Sequence, residues 1–174
     1  ARIVDRRLHL IVAAFPIGDG DMFRQRMVGV HLDRRKSMPA VEALVDELRT
    51  LGPGARFFNV NAAAESGRTR VVEALCEADL DVKVLLHSLA FGTLMDLVPD
   101  QEGGRVVSAR QLEMTLDVMA NSLVYWTQDL LRAGRLADGG RIFAMTSSGS
   151  QRSLPQYGPV SAAKASLEAH VRQL

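Results

Sequence analysis

The stretch LHLIVAA (residues 8–14) is a run of strand length that is apolar apart from His9, and the chain repeats this pattern. Strands that are apolar throughout indicate a parallel sheet covered on both faces, because a strand with one exposed face alternates apolar and polar residues. The sequence predicts four further strands with apolar cores: MVGVHL (27–32), RFFNVN (56–61), DVKVLLHS (81–88) and GGRIFAM (139–145).

Segments with helical periodicity separate these strands. The longest predicted helix begins at Ser108, which forms a capping-box pair with Gln111. Strands that alternate with helices predict an α/β fold, a doubly wound parallel sheet of the Rossmann type with three α/β/α layers. We expect a single domain over residues 1–174, with ligands bound beyond the carboxyl ends of the strands. The predicted helices cover 38–52, 71–78, 108–136 and a final segment from about Pro159.

Composition excludes several classes of protein. The chain has 174 residues, of which 47% are hydrophobic, enough for one domain with a sizeable core. Its formal net charge of +1 gives no electrostatic footprint for nucleic acid or an anionic membrane, so we expect neither partner. The single cysteine, Cys76, excludes a disulfide framework within these residues and a cysteine-rich zinc site. A reducing, cytoplasmic location fits this cysteine usage.

The segment TSSGSQRSLPQYGPVSAAKASLEAHVRQL (146–174) carries the strongest chemical pattern. Lys164 follows Tyr157 by seven residues on a helix, and two turns, roughly 10.5 Å of rise, return a side chain to about the same face. An ammonium near a phenol stabilises the phenolate, which makes a tyrosine usable as a proton donor. The alternative is a surface tyrosine and a solvated lysine, and Tyr-x6-Lys is common by chance.

The same segment resembles the short-chain dehydrogenase/reductase superfamily, and specifically its divergent enoyl-[acyl-carrier-protein] reductase branch. Ordinary members have Tyr-x3-Lys, whereas that branch has Tyr-x6-Lys, as Tyr157 and Lys164 do. The run LLHSLAFG (85–92) is similar to the branch's His-Ser-Ile-Ala-Phe turn. The two signatures occur in the right order, and the resemblance covers roughly residues 27–174.

The resemblance implies three catalytic residues. Tyr157 would donate a proton, or hold the enolate, at the thioester oxygen, and Lys164 would bind the nicotinamide ribose hydroxyls. Ser147 lies where many enoyl reductases have a second tyrosine, ten residues before the first. It also lies 17 residues before Lys164, the spacing of the superfamily's serine, so we expect Ser147 to contact the substrate carbonyl. The alternative is that Ser147 only satisfies backbone groups at a strand–loop junction.

The resemblance also implies a nicotinamide cofactor. Ser88, Leu89 and Ala90 would lie along it near the nicotinamide, and Asn61 and Ala62 would lie beside the adenine. These five residues lie at or just after the carboxyl ends of the third and fourth predicted strands. We therefore expect cofactor contacts from both strand ends.

Two further stretches bear on the cofactor. Gly18, within a Gly-x-Gly, is the candidate for the phosphate-binding turn after the first strand. At the end of the second strand, Asp33 is followed by Arg34, Arg35 and Lys36, and adjacent cations accommodate a 2′-phosphate better than a lone carboxylate does. We expect NADPH, with NADH possible. A solvated charge run before a helix is the competing interpretation.

We expect the fold to be incomplete at the glycine-rich turn and at the carboxyl terminus. The turn has only Gly18 and Gly20, and the sequence stops at Leu174 inside a helix, where the resembled family continues with two more strands. We expect these residues to be the ordered parts of a longer chain. The alternative is a truncated or degenerate relative that cannot hold a dinucleotide.

The remaining polar candidates are weaker. Asn121 lies near the position of a catalytic asparagine in ordinary members, but the register puts Met119 there, so we interpret Asn121 as a packing or helix-surface residue. We predict no metal site, because the histidines have no ligand spacing. They are His9, His31, His87 and His170.

The predicted function is NAD(P)H-dependent reduction of the carbon–carbon double bond of a trans-2-enoyl thioester, carried by acyl carrier protein or coenzyme A. By analogy with relatives, we expect a homotetramer. One alternative is a reductase of the same superfamily that acts on a ketone such as a 3-oxoacyl thioester. The other is a non-catalytic oligomerisation module.

Overall fold

The structure is a computed structural model that describes residues 7–13, 27–31, 46, 56–99, 101 and 103–174. It confirms the α/β fold and all five predicted strands. The predicted helix over 38–52 lies outside the described residues, except for Asp46, which is helical. The strands are β1 (Arg7–Ala13), β2 (Met27–His31), β3 (Arg56–Asn59), β4 (Asp81–Ser88) and β5 (Leu136–Ala144).

The five strands form one sheet in the order β3-β2-β1-β4-β5. The pairs β1–β2, β1–β4 and β2–β3 are parallel, as continuous apolar runs predict. Strand numbers rise outward from β1 on both sides, so the winding reverses between β1 and β4. In open α/β sheets this reversal is where ligands bind. Ser88 is paired with Ala13 at the carboxyl end of these two strands.

Four described α-helices accompany the sheet. The predicted capping box is present: Gln111 N donates to Ser108 Oγ at 3.3 Å, and Ser108 N donates to Gln111 Oε1 at 3.0 Å. Two backbone N–H groups at the start of this helix therefore have hydrogen-bond partners. The helices are α1 (Glu65–Glu77), α2 (Ala109–Leu116), α3 (Ser122–Arg132) and α4 (Gly158–Gln173).

The long helix predicted over 108–136 is interrupted. A π-helical turn, Asp117–Asn121, separates α2 from α3. Just after it, Ser122 Oγ donates to Val118 O at 2.7 Å, a back-bond to the preceding turn that often bends a helix. The helix also ends early, because Gly134 has a φ of 61° and its N–H bonds to Leu131 O, which caps α3.

Helix α1 begins six residues earlier than the predicted segment 71–78. Its first turns are polar, so the apolar periodicity did not mark them. Gly67 lies so close to the preceding loop that a Cβ there would collide with Asn61 O. Arg68 Nε donates to Asp129 Oδ2 at 2.7 Å, which fixes the helix start by an ion pair that crosses 61 residues of sequence.

The chain divides into two compact units. The first contains the described residues up to Ser88 together with Gln128–Phe143, and therefore the sheet and α1. The second contains Leu89–Thr127 and Ala144–Leu174. Each unit has its own buried apolar residues: Val71, Leu75, Val82, Leu85 and Leu130 in the first, and Met119, Leu123, Trp126, Val160 and Leu167 in the second.

Candidate active site

The chain leaves β5 at Ala144 and enters a short polar loop of the second unit. Ser147 precedes a 3₁₀ turn, Ser148–Ser150, and its Oγ accepts a hydrogen bond from Gly149 N at 3.2 Å. Helix α4 then starts at Gly158 with a proline in its first turn, where the missing N–H costs nothing. Tyr157 immediately precedes that helix, so the start of the helix fixes the backbone position of this tyrosine.

The hydroxyls of Ser147 and Tyr157 meet. Ser147 Oγ lies 3.3 Å from Tyr157 OH, and either atom could donate. The tyrosine is half-buried, and its ring lies against the backbone of Gly149, where a Cβ would overlap it. Ser147 Oγ thus contacts a backbone N–H, as the alternative above holds, and also contacts the candidate proton donor. Its contact with a substrate carbonyl stays a prediction.

Lys164 is buried, with 5% of its surface exposed. Its Nζ donates to Met145 O at 2.7 Å and to Leu89 O at 3.3 Å, and it has no ion pair with the described residues. Burial lowers the pKa of Lys164 from its ordinary value, because desolvation penalises the ammonium. The solvated lysine considered as an alternative is therefore wrong.

The two predicted catalytic side chains reach the same short segment. Lys164 bonds to the carbonyl of Met145, and Tyr157 bonds to the side chain of Ser147, two residues further on. Consecutive Cα atoms are ~3.8 Å apart, so these anchor residues lie within about 7.6 Å. An ammonium and two hydroxyls therefore lie along one short segment after β5. That Tyr157 and Lys164 border one cleft stays a prediction.

The donor set of this segment fits a nicotinamide ribose. An ammonium has three N–H donors, and Lys164 uses two of them on protein carbonyls. The third has no acceptor among the described residues. A ribose diol supplies hydroxyl acceptors for such a donor, and Lys164 would hold it there.

The predicted cofactor contacts that follow β3 and β4 differ in exposure. Asn61 and Ala90 are exposed, and Ser88 is half-buried. Ala62 and Leu89 are fully buried, so neither side chain presents surface to a ligand in this structure. Leu89 acts instead through its carbonyl, which accepts from Lys164. The roles of all five residues toward a cofactor remain predictions.

Three other predicted cofactor residues cannot be placed. Gly18, Arg34 and Arg35 lie outside the described residues. The assignment of the phosphate-binding turn and of the 2′-phosphate contact therefore rests on sequence alone.

Sequence reasoning missed several contacts of the second unit. The carbonyls of Met145 and Leu89 bind Lys164, and backbone acceptors leave no mark in a residue pattern. Asn121 Oδ1 lies 3.1 Å from His170 Nε2, which pairs the π-helical turn with α4. The carboxylate of Glu168 also bonds to the loop around Ser147, although an acid four residues after Lys164 reads as an ordinary helix-surface charge.

Metal and membrane features are absent from the described part of the chain. No cluster of three or more His, Cys, Asp or Glu side chains there could hold a metal ion. None of the helices in those ranges combines the length and apolarity needed to span a bilayer.

Comparison with protein families gives one match over most of the chain. The sequence profile described as Enoyl-(Acyl carrier protein) reductase matches residues 25–174. A search of curated proteins finds no significant match.

Solved structures give the same fold. A short chain dehydrogenase from Mycobacterium smegmatis is 17% identical with a TM-score of 0.71, and the alignment covers 97% of this chain and 70% of that one. The Bacillus cereus Enoyl-Acyl Carrier Protein Reductase with NADP+ and indole naphthyridinone is 18% identical with a TM-score of 0.73, covering 96% and 65%. A 3-oxoacyl-[acyl-carrier protein] reductase from Brucella melitensis is 21% identical with a TM-score of 0.65, covering 84% and 58%. At these identities the likeness shows the fold alone.

Proposed function

The chain belongs to the enoyl-(acyl carrier protein) reductase family of short-chain dehydrogenases/reductases, and from that premise we propose that it reduces the carbon–carbon double bond of a trans-2-enoyl thioester with NAD(P)H. The observation that carries this proposal is the 3.3 Å contact between Ser147 Oγ and Tyr157 OH, next to the carbonyl that binds Lys164. The chain spans between 58% and 70% of the length of the solved structures compared above. The activity is therefore proposed for the whole protein.

Two hydroxyls bind the thioester oxygen of the substrate. Tyr157 donates to this oxygen, and Ser147, whose hydroxyl contacts the tyrosine, orients the donor and contributes a second contact. As the double bond is reduced, negative charge develops on the same oxygen to form an enolate. Donors that are already in place stabilise that charge without reorganisation.

Lys164 has two roles in the proposal. Its remaining N–H would hold the ribose next to the nicotinamide. Its buried charge also favours the developing oxyanion, because an ammonium excluded from water acts over a longer range than a solvated one. Both roles require the two protein carbonyls that fix its Nζ.

Bound NAD(P)H supplies a hydride to the β-carbon of the enoyl group. Tyr157 gives its proton to the enolate oxygen, and tautomerisation then places a proton on the α-carbon. The tyrosine regains its proton from solvent. One hydride and one proton are therefore consumed for each double bond that becomes a single bond.

Cofactor choice, substrate carrier and assembly belong to the same proposal. Arg34 and Arg35, after the second strand, favour NADPH because their cations match a 2′-phosphate. The acyl group is carried by acyl carrier protein or coenzyme A. We further propose a cytoplasmic homotetramer.

A second candidate is a reductase of 3-oxoacyl thioesters. Two hydroxyls that converge on one oxygen also suit a ketone, since its reduction likewise places negative charge on oxygen. The spacing of 17 residues between Ser147 and Lys164 favours this alternative, as ordinary members of the superfamily have it.

A paired substrate assay separates the two candidates. The full-length protein is mixed with NADPH or NADH and either a trans-2-enoyl or a 3-oxoacyl thioester of equal chain length, and loss of absorbance at the nicotinamide band is followed. We expect faster oxidation of NADPH with the enoyl substrate. Turnover of the ketone alone would refute enoyl reduction. Absence of both turnover and dinucleotide binding would favour a non-catalytic module.

A further inference from the structure

Glu168 is a polar residue of the second unit that the mechanism above does not use. It lies on α4, one turn after Lys164. Its Oε1 accepts a hydrogen bond from Thr146 Oγ1 at 2.5 Å and another from Ser150 Oγ at 2.7 Å. These two hydroxyl residues flank Ser147 on either side. A single carboxylate oxygen therefore joins helix α4 to both ends of the loop that carries the serine.

The bond from Ser150 has a competitor within the loop. Ser150 Oγ also lies 2.8 Å from Ser147 O, but a hydroxyl has one proton and donates to one acceptor at a time. An ionised carboxylate is the stronger acceptor. Ser147 O keeps a partner in any case, because Ser150 N donates to it at 3.0 Å. The hydroxyl of Ser150 is therefore available to Glu168.

The charge state of Glu168 suits this role. The hydrogen bonds from Thr146 and Ser150 lower the pKa of Glu168, and the nearby cation of Arg172 lowers it further, against a smaller opposing effect of burial. The carboxylate is thus ionised at neutral pH. Hydrogen bonds to an ionised acceptor are stronger than those between neutral groups, so both flanks of the loop are firmly held.

We propose that Glu168 is a positioning residue for Ser147: by accepting hydrogen bonds from Thr146 and Ser150, it holds the Ser147 hydroxyl within reach of Tyr157 OH. In this role the residue acts through the loop, by its contacts with Thr146 and Ser150. The consequence for turnover rests on the proposed function. The effect on the contact between Ser147 and Tyr157 does not.

The first test is independent of catalysis. Tyr125 and Tyr157 are the two tyrosines of these 174 residues, and in ¹³C-tyrosine-labelled protein Tyr157→Phe assigns the Cζ resonance of Tyr157. Ser147→Ala removes the contact and sets the reference shift of the Tyr157 resonance. We expect Glu168→Ala to move this resonance in the same direction by at least half as much. Glu168→Ala added to Ser147→Ala should then cause no further shift.

Two further variants keep the test decisive. Glu168→Gln keeps an acceptor oxygen and should restore most of the Tyr157 shift, whereas Thr146→Val combined with Ser150→Ala should reproduce Glu168→Ala. Glu113→Gln is the control, because it removes a negative charge from an exposed helix position of the same unit. A Tyr157 resonance at the wild-type position in folded Glu168→Ala, or in the double variant if Glu168→Ala does not fold, would overturn the proposal.

Kinetics separates this inference from the proposed function. With the enoyl thioester we expect Glu168→Ala to lower kcat about tenfold, the effect of one lost positioning contact, with KM for the dinucleotide unchanged. Glu168→Gln should remain within about threefold of wild type, as a retained acceptor predicts. If the Tyr157 resonance shifts as expected but the wild-type protein does not turn over the enoyl thioester, the reductase proposal fails and the positioning role stands. If the wild-type protein turns over the substrate but Glu168→Ala changes neither kcat nor the Tyr157 resonance, the positioning role fails and the reductase proposal stands.

Discussion

Gly149→Ala is the sharpest perturbation of the contact on which the proposed chemistry depends. Gly149 is buried beneath the ring of Tyr157. A Cβ at this position would lie 2.6 Å from Tyr157 Cδ1 and would also overlap Cε1, whereas ordinary contact begins at 3.4 Å. Either the ring or the loop backbone must therefore shift by at least about 0.8 Å, the difference between those two distances. Ring and loop backbone cannot both keep their places.

That displacement is enough to break the hydroxyl pair. Ser147 Oγ and Tyr157 OH are 3.3 Å apart, near the outer limit for a hydrogen bond between hydroxyls. A misplacement of ~1 Å in a catalytic arrangement can cost about 100-fold in rate. We therefore expect Gly149→Ala to lower kcat for the enoyl thioester by about 10- to 100-fold. Dinucleotide affinity should change little, because Lys164 and its two carbonyl partners are untouched.

The assay combines turnover with fluorescence titration of NADPH, and it needs a matched glycine. Gly134→Ala is suitable because Gly134 has a φ of 61° and a Cβ there would meet nothing within 4 Å. It should destabilise the protein by about 1 kcal/mol through the backbone and leave kcat unchanged. Gly149→Ala with kcat within twofold of wild type would refute the argument from ring position.

Three further predictions concern stability. Leu167→Ala removes a side chain with 0% exposure from the buried face of α4, and urea unfolding should show a loss of about 2–5 kcal/mol; a loss below 1 kcal/mol, roughly that of a surface change, would mean that α4 is not packed as described. The pKa of Glu168 is lowered in the folded state, so its carboxylate stabilises the protein at pH values above 4.5, the ordinary pKa of the group. This contribution is lost as the pH falls through the pKa of Glu168 in the folded protein. The difference in urea midpoint between wild type and Glu168→Gln should therefore shrink on acidification below pH 4.5, and a difference that widens would contradict the assignment. Arg68→Met leaves the carboxylate of Asp129 without its 2.7 Å partner and should cost about 1–3 kcal/mol, while an unchanged midpoint would show that this ion pair holds nothing in place.

The strands could be predicted from sequence because a strand inside a parallel sheet leaves a direct mark on composition. Such a strand is rich in apolar residues, as VLL is within DVKVLLHS, and β4 (Asp81–Ser88) matches its predicted span over all eight residues. The capping box at Ser108 is a local pattern of the same kind, since both partners lie within four residues. Features of this type need no knowledge of the tertiary structure.

The features that sequence missed depend on contacts between distant residues or on backbone atoms. The start of α1 is fixed by Arg68 through Asp129, far along the chain, and by the approach of Gly67 to a carbonyl. The π-helical turn has no apolar period of its own, since one extra residue per turn shifts the pattern only locally. Lys164 finds its partners in backbone carbonyls, which any residue could supply.

The candidate site shows the same division. The spacing of Tyr157 and Lys164 is a local feature of the sequence, so contacts of both side chains with one short segment could be anticipated. The role of Glu168 could not, because its partners depend on how the loop after β5 folds back onto α4. Side-chain exposure could not be predicted either, because nothing in the sequence distinguishes the buried Leu89 from its exposed neighbour Ala90.

Tyr157→Phe, measured for turnover and for NADPH affinity on the same preparation, tests the central claim most directly. The substitution removes one hydroxyl and keeps the ring, so the helix start and the buried Lys164 should be preserved. The account predicts that kcat for the enoyl thioester falls by about 100- to 10,000-fold, the contribution of a positioned proton donor, while the NADPH dissociation constant stays within about twofold. Turnover close to that of wild type would contradict the account, and so would a loss of NADPH affinity large enough to explain the loss of rate.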